Sequence, residues 1–290
     1  MRAACIDIGS NTTRLLVADC DGTTLEEIHQ DRVFTRIGRD LERGGVLSPE
    51  KIDEVAAVVR TQVATARRHG ATDVQAIATA AVRAAANAAD LLQAVAEAAG
   101  LALTVMSEAE EARLAFVGAA GMLASPAPGT LGVVDVGGGS SEIVVGHPPD
   151  RIDWWSSVPI GSGKLTDRHL ISDPPTAAEL ATARAAITEA LTAERPPRPA
   201  TAVAVGGSAT SLCRVAGPVL SPAAVTRALD ALTGAPAAIA ARRFGVDAER
   251  ARLLPGGLLI LEAAAHLLGA PLTIGRGGIR EGVLLEALRP

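Results

Sequence analysis

The residues best suited to chemistry come in two matched sets. One is "DIGSNTTRLLV", beginning at Asp7, and the other is "DVGGGSSEIVV", beginning at Asp135. Laid over one another without a gap, Asp7 falls on Asp135, Gly9 on Gly137, Thr12 on Ser140 and Thr13 on Ser141. Each set reads as strand, aspartate, glycine turn, hydroxyls, strand. A tight turn of this composition aims several backbone N–H groups at one point and forms a concavity for an anion. Gly9, Ser10, Asn11 and Thr12 are the candidate phosphate contacts of the first turn. Gly137, Gly138, Gly139, Ser140 and Ser141 are those of the second. A third turn, "VAVGGSATSL", adds Gly207 and Ser208, with a helix start capped by Ser208 as its structural alternative.

An aspartate at the end of such a strand repels phosphate unless a divalent cation lies between them. Mg²⁺ suits the place because it takes carboxylate and phosphate oxygens and keeps several waters. Asp7, Asp135 and Glu142 are therefore the candidate metal ligands. In the repeat register Arg14 stands where the second set has Glu142. The two turns are thus not equivalent: one is expected to hold metal and the other to clamp phosphate. Neither turn is a Walker A sequence or a GxGxxG opening a long helix. One glycine hairpin alone reads as a plain turn; two in register, each with its aspartate, read as a duplicated device.

These sets need strands to hold them and helices to cover the strands. The chain has 290 residues, 48% hydrophobic, with 2% aromatics and no tyrosine, so its core is aliphatic. "SPEKIDEVAAVVRTQVATARRHG" reads as a helix capped by Ser48, with Pro49 at its first position and Gly70 ending it. Ser107 and Glu110 form the capping box of the helix in "SEAEEARLAFVGAAGML", and Ser221 caps another helix. A turn is expected at Asp21–Gly22, and "IREGVLLEAL" reads as the last helix. "SPAPG", residues 125 to 129, is rich in breakers and precedes the second set, which places a boundary there: domains 1–125 and 126–290. Strands and helices mix in both halves, predicting α/β layers with mixed sheets.

Charge and composition exclude several classes. A net charge of −5 gives no global basic surface for nucleic acid. Lys164, Arg168 and Arg276 are weaker candidates for a local basic groove. Cys5, Cys20 and Cys213 form no CxxC pair, so neither a zinc site nor a disulfide framework is suggested. Glu262 and His266 stand four apart on a helix but lack a third ligand, and read as a core or interface pair. Residues 253–272 are apolar but interrupted by Pro255, Gly256, Glu262 and His266; they read as a buried helix, with a homodimer contact as the alternative, and not as a membrane span. The first residues already form the first set, so no signal peptide is expected and the protein reads as cytoplasmic.

Six segments, in the order "DIGSNTTRLLV", "IATAAVRAAAN", "SEAEEARLAFVGA", "VVDVGGGSSEIVVG", "VGGSATSL" and "REGVL", resemble the exopolyphosphatase/guanosine pentaphosphate phosphohydrolase (Ppx/GppA) family across essentially the whole chain. The resemblance implies two actin-like (ribonuclease H-like) domains of the sugar kinase/heat-shock/actin superfamily, with an interdomain cleft. It implies Mg²⁺-dependent removal of the terminal phosphate from inorganic polyphosphate or from pppGpp. It matches Glu111 to the glutamate proposed as general base and Arg83 to an arginine near the phosphates. Without the resemblance, Glu111 reads as a solvated acid favoured by the helix dipole, and Arg83 as an exposed helix charge. Long family members carry a further HD-like helical domain, which these residues do not match; short polyphosphate is the expected substrate. The scarcity of aromatics weighs against a guanosine site. A kinase or a nucleotide-binding protein of the same superfamily is the more distant alternative.

Overall fold

The computed structural model describes residues 1–21, 24–41, 44–125 and 127–287; Gly22, Pro126 and Leu288 of the expected turn, linker and last helix lie outside them. The chain divides into two compact units, Met1–Met122 joined by the segment from Ile279 onward, and Leu123–Gly278.

In the first unit, β1 (Arg2–Ile8), β2 (Thr13–Cys20) and β3 (Leu25–Val33) form an antiparallel meander, and α1 (Ile37–Leu41) and α2 (Pro49–Arg68) follow. Then come β4 (Asp73–Ala78), α3 (Ala80–Ala84), α4 (Ala88–Ala99), β5 (Leu103–Val105) and α5 (Glu108–Gly121). The sheet order is β3-β2-β1-β4-β5, with β4 and β5 parallel to β1. Both faces of β1 are covered. Ala4, Ile6 and Ile8 lie in the core with Val55, Val59 and Leu91 of α2 and α4. Ala3 and Cys5 lie with Leu16, Ile77 and Leu114 on the other face. A strand buried on both sides reads as a near-continuous apolar run, which "AACIDI" is.

The second unit repeats the plan. It runs β6 (Leu131–Val136), β7 (Ser141–His147), β8 (Arg151–Val158), α6 (Ser162–His169), α7 (Ala177–Leu191), β9 (Thr201–Val205), α8 (Gly206–Ala216), β10 (Val219–Leu220), α9 (Pro222–Thr233), α10 (Ala237–Phe244), α11 (Ala248–Leu268) and β11 (Leu272–Ile274). Its sheet order, β10-β11-β9-β6-β7-β8, contains the same meander followed by parallel strands. The fold is α/β with two mixed sheets. α11, apolar and long enough to span a membrane by composition alone, has most of its residues buried; Leu254, Leu258, Leu261 and Leu268 sit in this unit's core.

One boundary differs from the sequence reading, which ran the second domain to residue 290. The last helix, α12 (Ile279–Ala287), packs in the first unit instead. Val283 and Leu284 join Cys5, Leu16 and Leu114, Leu285 joins Cys20 and Val117, and Arg113 of α5 forms an ion pair with Glu286. The apolar stripe of a helix says that it must be covered, not by what.

Candidate active site

In the first unit the carboxyl ends of the parallel strands β1, β4 and β5 share one edge, where open α/β sheets bind ligands. Each end delivers one candidate group. After β1, Gly9 N–H donates to the Thr12 carbonyl (3.0 Å) and closes the turn. The carbonyls of Ser10 and Asn11 accept from the N–H groups of Gly38 (2.8 Å) and Arg36 (3.0 Å). With its carbonyls held back in this way, the turn leaves the N–H groups of Ser10, Asn11 and Thr12 with no acceptor among the described residues. After β4, Thr79 N–H donates to the Ile8 carbonyl (3.3 Å), and α3 carries Arg83.

After β5, Ser107 caps α5 by accepting from Glu110 N–H (3.2 Å). The Glu110 carboxylate accepts from Arg113 (3.2 Å), and only the Ser107 half of the expected capping box is formed. Glu111, in the same first turn, is 5% exposed. Arg83 donates through Nη1 both to the Glu111 carboxylate and to the Met106 carbonyl, the latter at 2.7 Å.

Asp7 sits at the end of β1, paired across the ladder with Arg14 of β2. Its Oδ1 is shielded from solvent and has no hydrogen-bond partner among the described residues. Burial pushes the Asp7 carboxyl above the usual carboxylate range; Arg14 and Arg280 oppose this, and Glu281 adds to it.

The second unit holds the matching turn. Gly137 N–H donates to the Ser140 carbonyl (3.0 Å), the same closure 128 residues on. Here the carbonyls of Gly137 and Gly138 accept from the first amides of α6: Ser162 N–H at 2.9 Å, Gly163 N–H at 3.0 Å and Lys164 N–H at 2.9 Å. The N–H groups of Gly138, Gly139 and Ser140 find no acceptor among the described residues. Gly161, the N-cap of α6, lies against this turn; a Cβ there would be 2.5 Å from the Gly138 carbonyl carbon and 2.6 Å from the Gly139 nitrogen.

Asp135 faces Glu142 across the β6–β7 ladder, in the register where the first unit has Asp7 and Arg14. Glu142 is buried and accepts from the hydroxyls of Ser140 (2.9 Å) and Ser157 (3.0 Å). The hydroxyl of Ser141 donates to the Ile160 carbonyl (2.6 Å), so it shapes the turn. At the end of β9, Gly206 begins α8 with φ +82° and lies directly against the Asp135 carboxylate, where a Cβ would overlap Oδ1. Val205, not Ser208, occupies the N-cap position and makes no side-chain cap. Ser208 is buried with its hydroxyl 3.4 Å from that of Ser162. Lys164 donates to the Pro159 carbonyl (2.8 Å). Glu262 pairs with Arg184 and its carbonyl lies 2.9 Å from His266 Nδ1, so the i, i+4 pair is structural.

The family profile for "Ppx/GppA phosphatase family" matches residues 16–289. The chain belongs to the Ppx/GppA phosphatase family. It is 37% identical over 201 residues to exopolyphosphatase 2 of Mycobacterium tuberculosis, the match covering 66% of this chain and 61% of that protein. It is 30% identical over 307 residues to exopolyphosphatase 1 of Mycobacterium leprae, covering 99% of this chain and 90% of that one. Its structure superposes on the Ppx/GppA family member of Aquifex aeolicus with a TM-score of 0.82 and 29% identity, covering 99% and 97% of the two chains.

Two features of this Ppx/GppA chain bear on a divalent cation. No three His, Cys, Asp or Glu side chains among the described residues converge as a complete cage. Mg²⁺ asks for less, one or two carboxylates with waters and substrate oxygens completing the shell. The orphaned Oδ1 of Asp7 and the facing Asp135–Glu142 pair fit that demand. Sequence reasoning missed Gly206, Gly161 and the Arg83–Glu111 pair. Gly206 carried a signal, as the first glycine after a strand; the pair did not, since its members lie 28 residues apart.

Proposed function

We propose that this chain is an exopolyphosphatase. It hydrolyses the terminal phosphoanhydride of inorganic polyphosphate, preferring short polymers, and requires Mg²⁺. The observation that carries the reading is the pair of identically closed turns, each following an aspartate and each with three backbone N–H groups that no acceptor among the described residues takes. Relatives named exopolyphosphatase support the substrate class. The net charge of −5 supports short over long polymers, since it leaves little basic surface to track a polyanion. The three cysteines, none of them in a disulfide, suit a reducing compartment such as the cytoplasm.

In this mechanism each turn, residues 10–12 in the first unit and residues 138–140 in the second, offers its amides to non-bridging phosphate oxygens. Asp7, Asp135 and Glu142 are the residues that would hold Mg²⁺, which when bound neutralises phosphate charge. Glu111 accepts a proton from the attacking water. The water oxygen bonds to the terminal phosphorus, the bridging P–O bond breaks, and the shortened polyphosphate leaves with the bridging oxygen. The transition state is loose, so positioning and charge stabilisation contribute most and a carboxylate suffices as base.

The test is phosphate release measured side by side from short polyphosphate, long polyphosphate, pppGpp and ATP. The wild-type protein is expected to be fastest on short polyphosphate, and Glu111→Gln to lose on the order of 10²–10⁴-fold in kcat. A fully active Glu111→Gln protein removes the base assignment; faster release from pppGpp or ATP removes the substrate assignment.

A further inference from the structure

We infer that Arg83 is a positioning residue for Glu111, fixing the carboxylate with one end of its guanidinium while the other end faces the substrate oxyanion. The inference rests on the reading of Glu111 as the base. A guanidinium carries five N–H donors in a planar fork. Both Nη1 hydrogens of Arg83 are engaged, one by the Glu111 carboxylate and one by the Met106 carbonyl at 2.7 Å. Met106 immediately precedes the cap residue of α5, and its own N–H donates to the Ala78 carbonyl at 2.9 Å. The Nη1 end is therefore anchored to the backbone that starts α5, and Glu111 to the same guanidinium.

The other edge is different. Nε finds no acceptor among the described residues, and Nη2 stands 3.6 Å from Glu108, whose side chain is 57% exposed. The Nε–Nη2 edge is one that takes two oxyanion oxygens side by side. Glu108 occupies the place of an anion there loosely and in water, so a phosphate oxygen displaces it at small cost. One planar group thus fixes the distance from base to phosphoryl group. Lysine cannot do the same, because it is a single point charge on a flexible stem.

The measurement is steady-state kinetics of short-polyphosphate hydrolysis by the intact protein and its variants, with thermal melts to establish folding. Arg83→Met is expected to lower kcat about 100-fold in the wild-type background and about 10-fold in the Glu111→Gln background, where only its contact to the phosphate oxyanion is left to lose, because residues acting through one another are not additive. Arg83→Lys is expected to keep KM within about 3-fold and still lose kcat by about 10-fold or more. Glu108→Gln is expected to lower KM about 2-fold, with Glu108 no longer competing for the open edge. Equal losses from Arg83→Met in both backgrounds, or a wild-type kcat in Arg83→Lys, overturn the inference and leave Glu111 as base. A fully active Glu111→Gln protein overturns both together. If Arg83→Met melts early, Arg83→Lys decides alone.

Discussion

At the scale of single residues, the difference between the two turns rests on one cross-strand partner. Asp135 faces a carboxylate, and Asp7 faces Arg14 with Arg280 nearby. Two carboxylates on one rung repel unless a cation joins them, whereas Arg14 and Arg280 already offset part of the Asp7 charge. Asp135→Asn is therefore expected to raise the Mg²⁺ concentration for half-maximal activity by about 10-fold or more, and Asp7→Asn by less. A Mg²⁺ titration of activity in both variants checks this; an unchanged Asp135→Asn curve excludes it as a ligand. The thiols give a second expectation. Burial pushes the Cys5 thiol well above its ordinary value, and the neighbouring Asp7 adds to this. Cys213 is exposed and Cys5 and Cys20 are buried, so a thiol reagent is expected to label one cysteine per folded chain quickly and three after unfolding. Spacing made the aspartate rungs readable beforehand, because a hairpin converts sequence offset directly into ladder partners. The Arg83–Glu111 contact was not readable, because it arises only when β4 and β5 align their ends.

At the scale of elements, the second turn is moulded by the start of α6. The first amides of that helix hold the carbonyls of Gly137 and Gly138, and the turn's own amides are left outward. This arrangement needs a glycine at the N-cap. Gly161→Ala puts a methyl 2.5–2.6 Å from the Gly138–Gly139 backbone, which must move. A KM increase of about 10-fold with a stability loss of about 1–3 kcal/mol is expected, read from kinetics and denaturant melts. Unchanged KM would detach the turn from substrate binding. The start of α7 behaves differently. There the Glu179 carboxylate accepts from Thr176 N–H (2.7 Å) and Ser172 N–H (2.8 Å), which lowers its pKa from 4.5 to about 2. The folded chain thus holds this proton less tightly than the unfolded one. The resulting stability is full above pH 4.5 and is lost as pH falls through about 2. Glu179→Gln is expected to flatten that part of the stability–pH profile; an unaltered slope contradicts the cap. Helices with caps were legible from their Ser-Pro and Ser-x-x-Glu starts, while the Thr176–Glu179 box of α7 emerged only in the structure. The outer strands β3 and β8 were not, because "LEEIHQDRV" and "RIDWWSSV" are edge strands with half-exposed, polar alternation.

At the scale of the whole chain, sequence order and structural order part company at α12. The duplication was legible because each copy of the strand–turn–strand device carries its own aspartate. The return of the chain to its first unit was not, because no local pattern names a helix's partner. Val283, Leu284 and Leu285 are each at most 5% exposed. At roughly 1.5–3 kcal/mol for each buried aliphatic side chain, their loss takes away roughly 5–9 kcal/mol. That rivals the total stability of an ordinary domain, about 5–15 kcal/mol. A chain stopped after Gly278 is expected to lose cooperative melting of its first unit and keep that of the second. Two intact transitions in the truncated chain would contradict this.

The same helix bears on biosynthesis. Leu123–Gly278 is one unbroken stretch, so it can mature as soon as it clears the ribosome, while the portion encoded earlier waits with Leu16, Ile77 and Leu114 still uncovered until the final segment emerges. The half translated first is thus the half completed last, and that interval is when a chaperone would find its apolar surface.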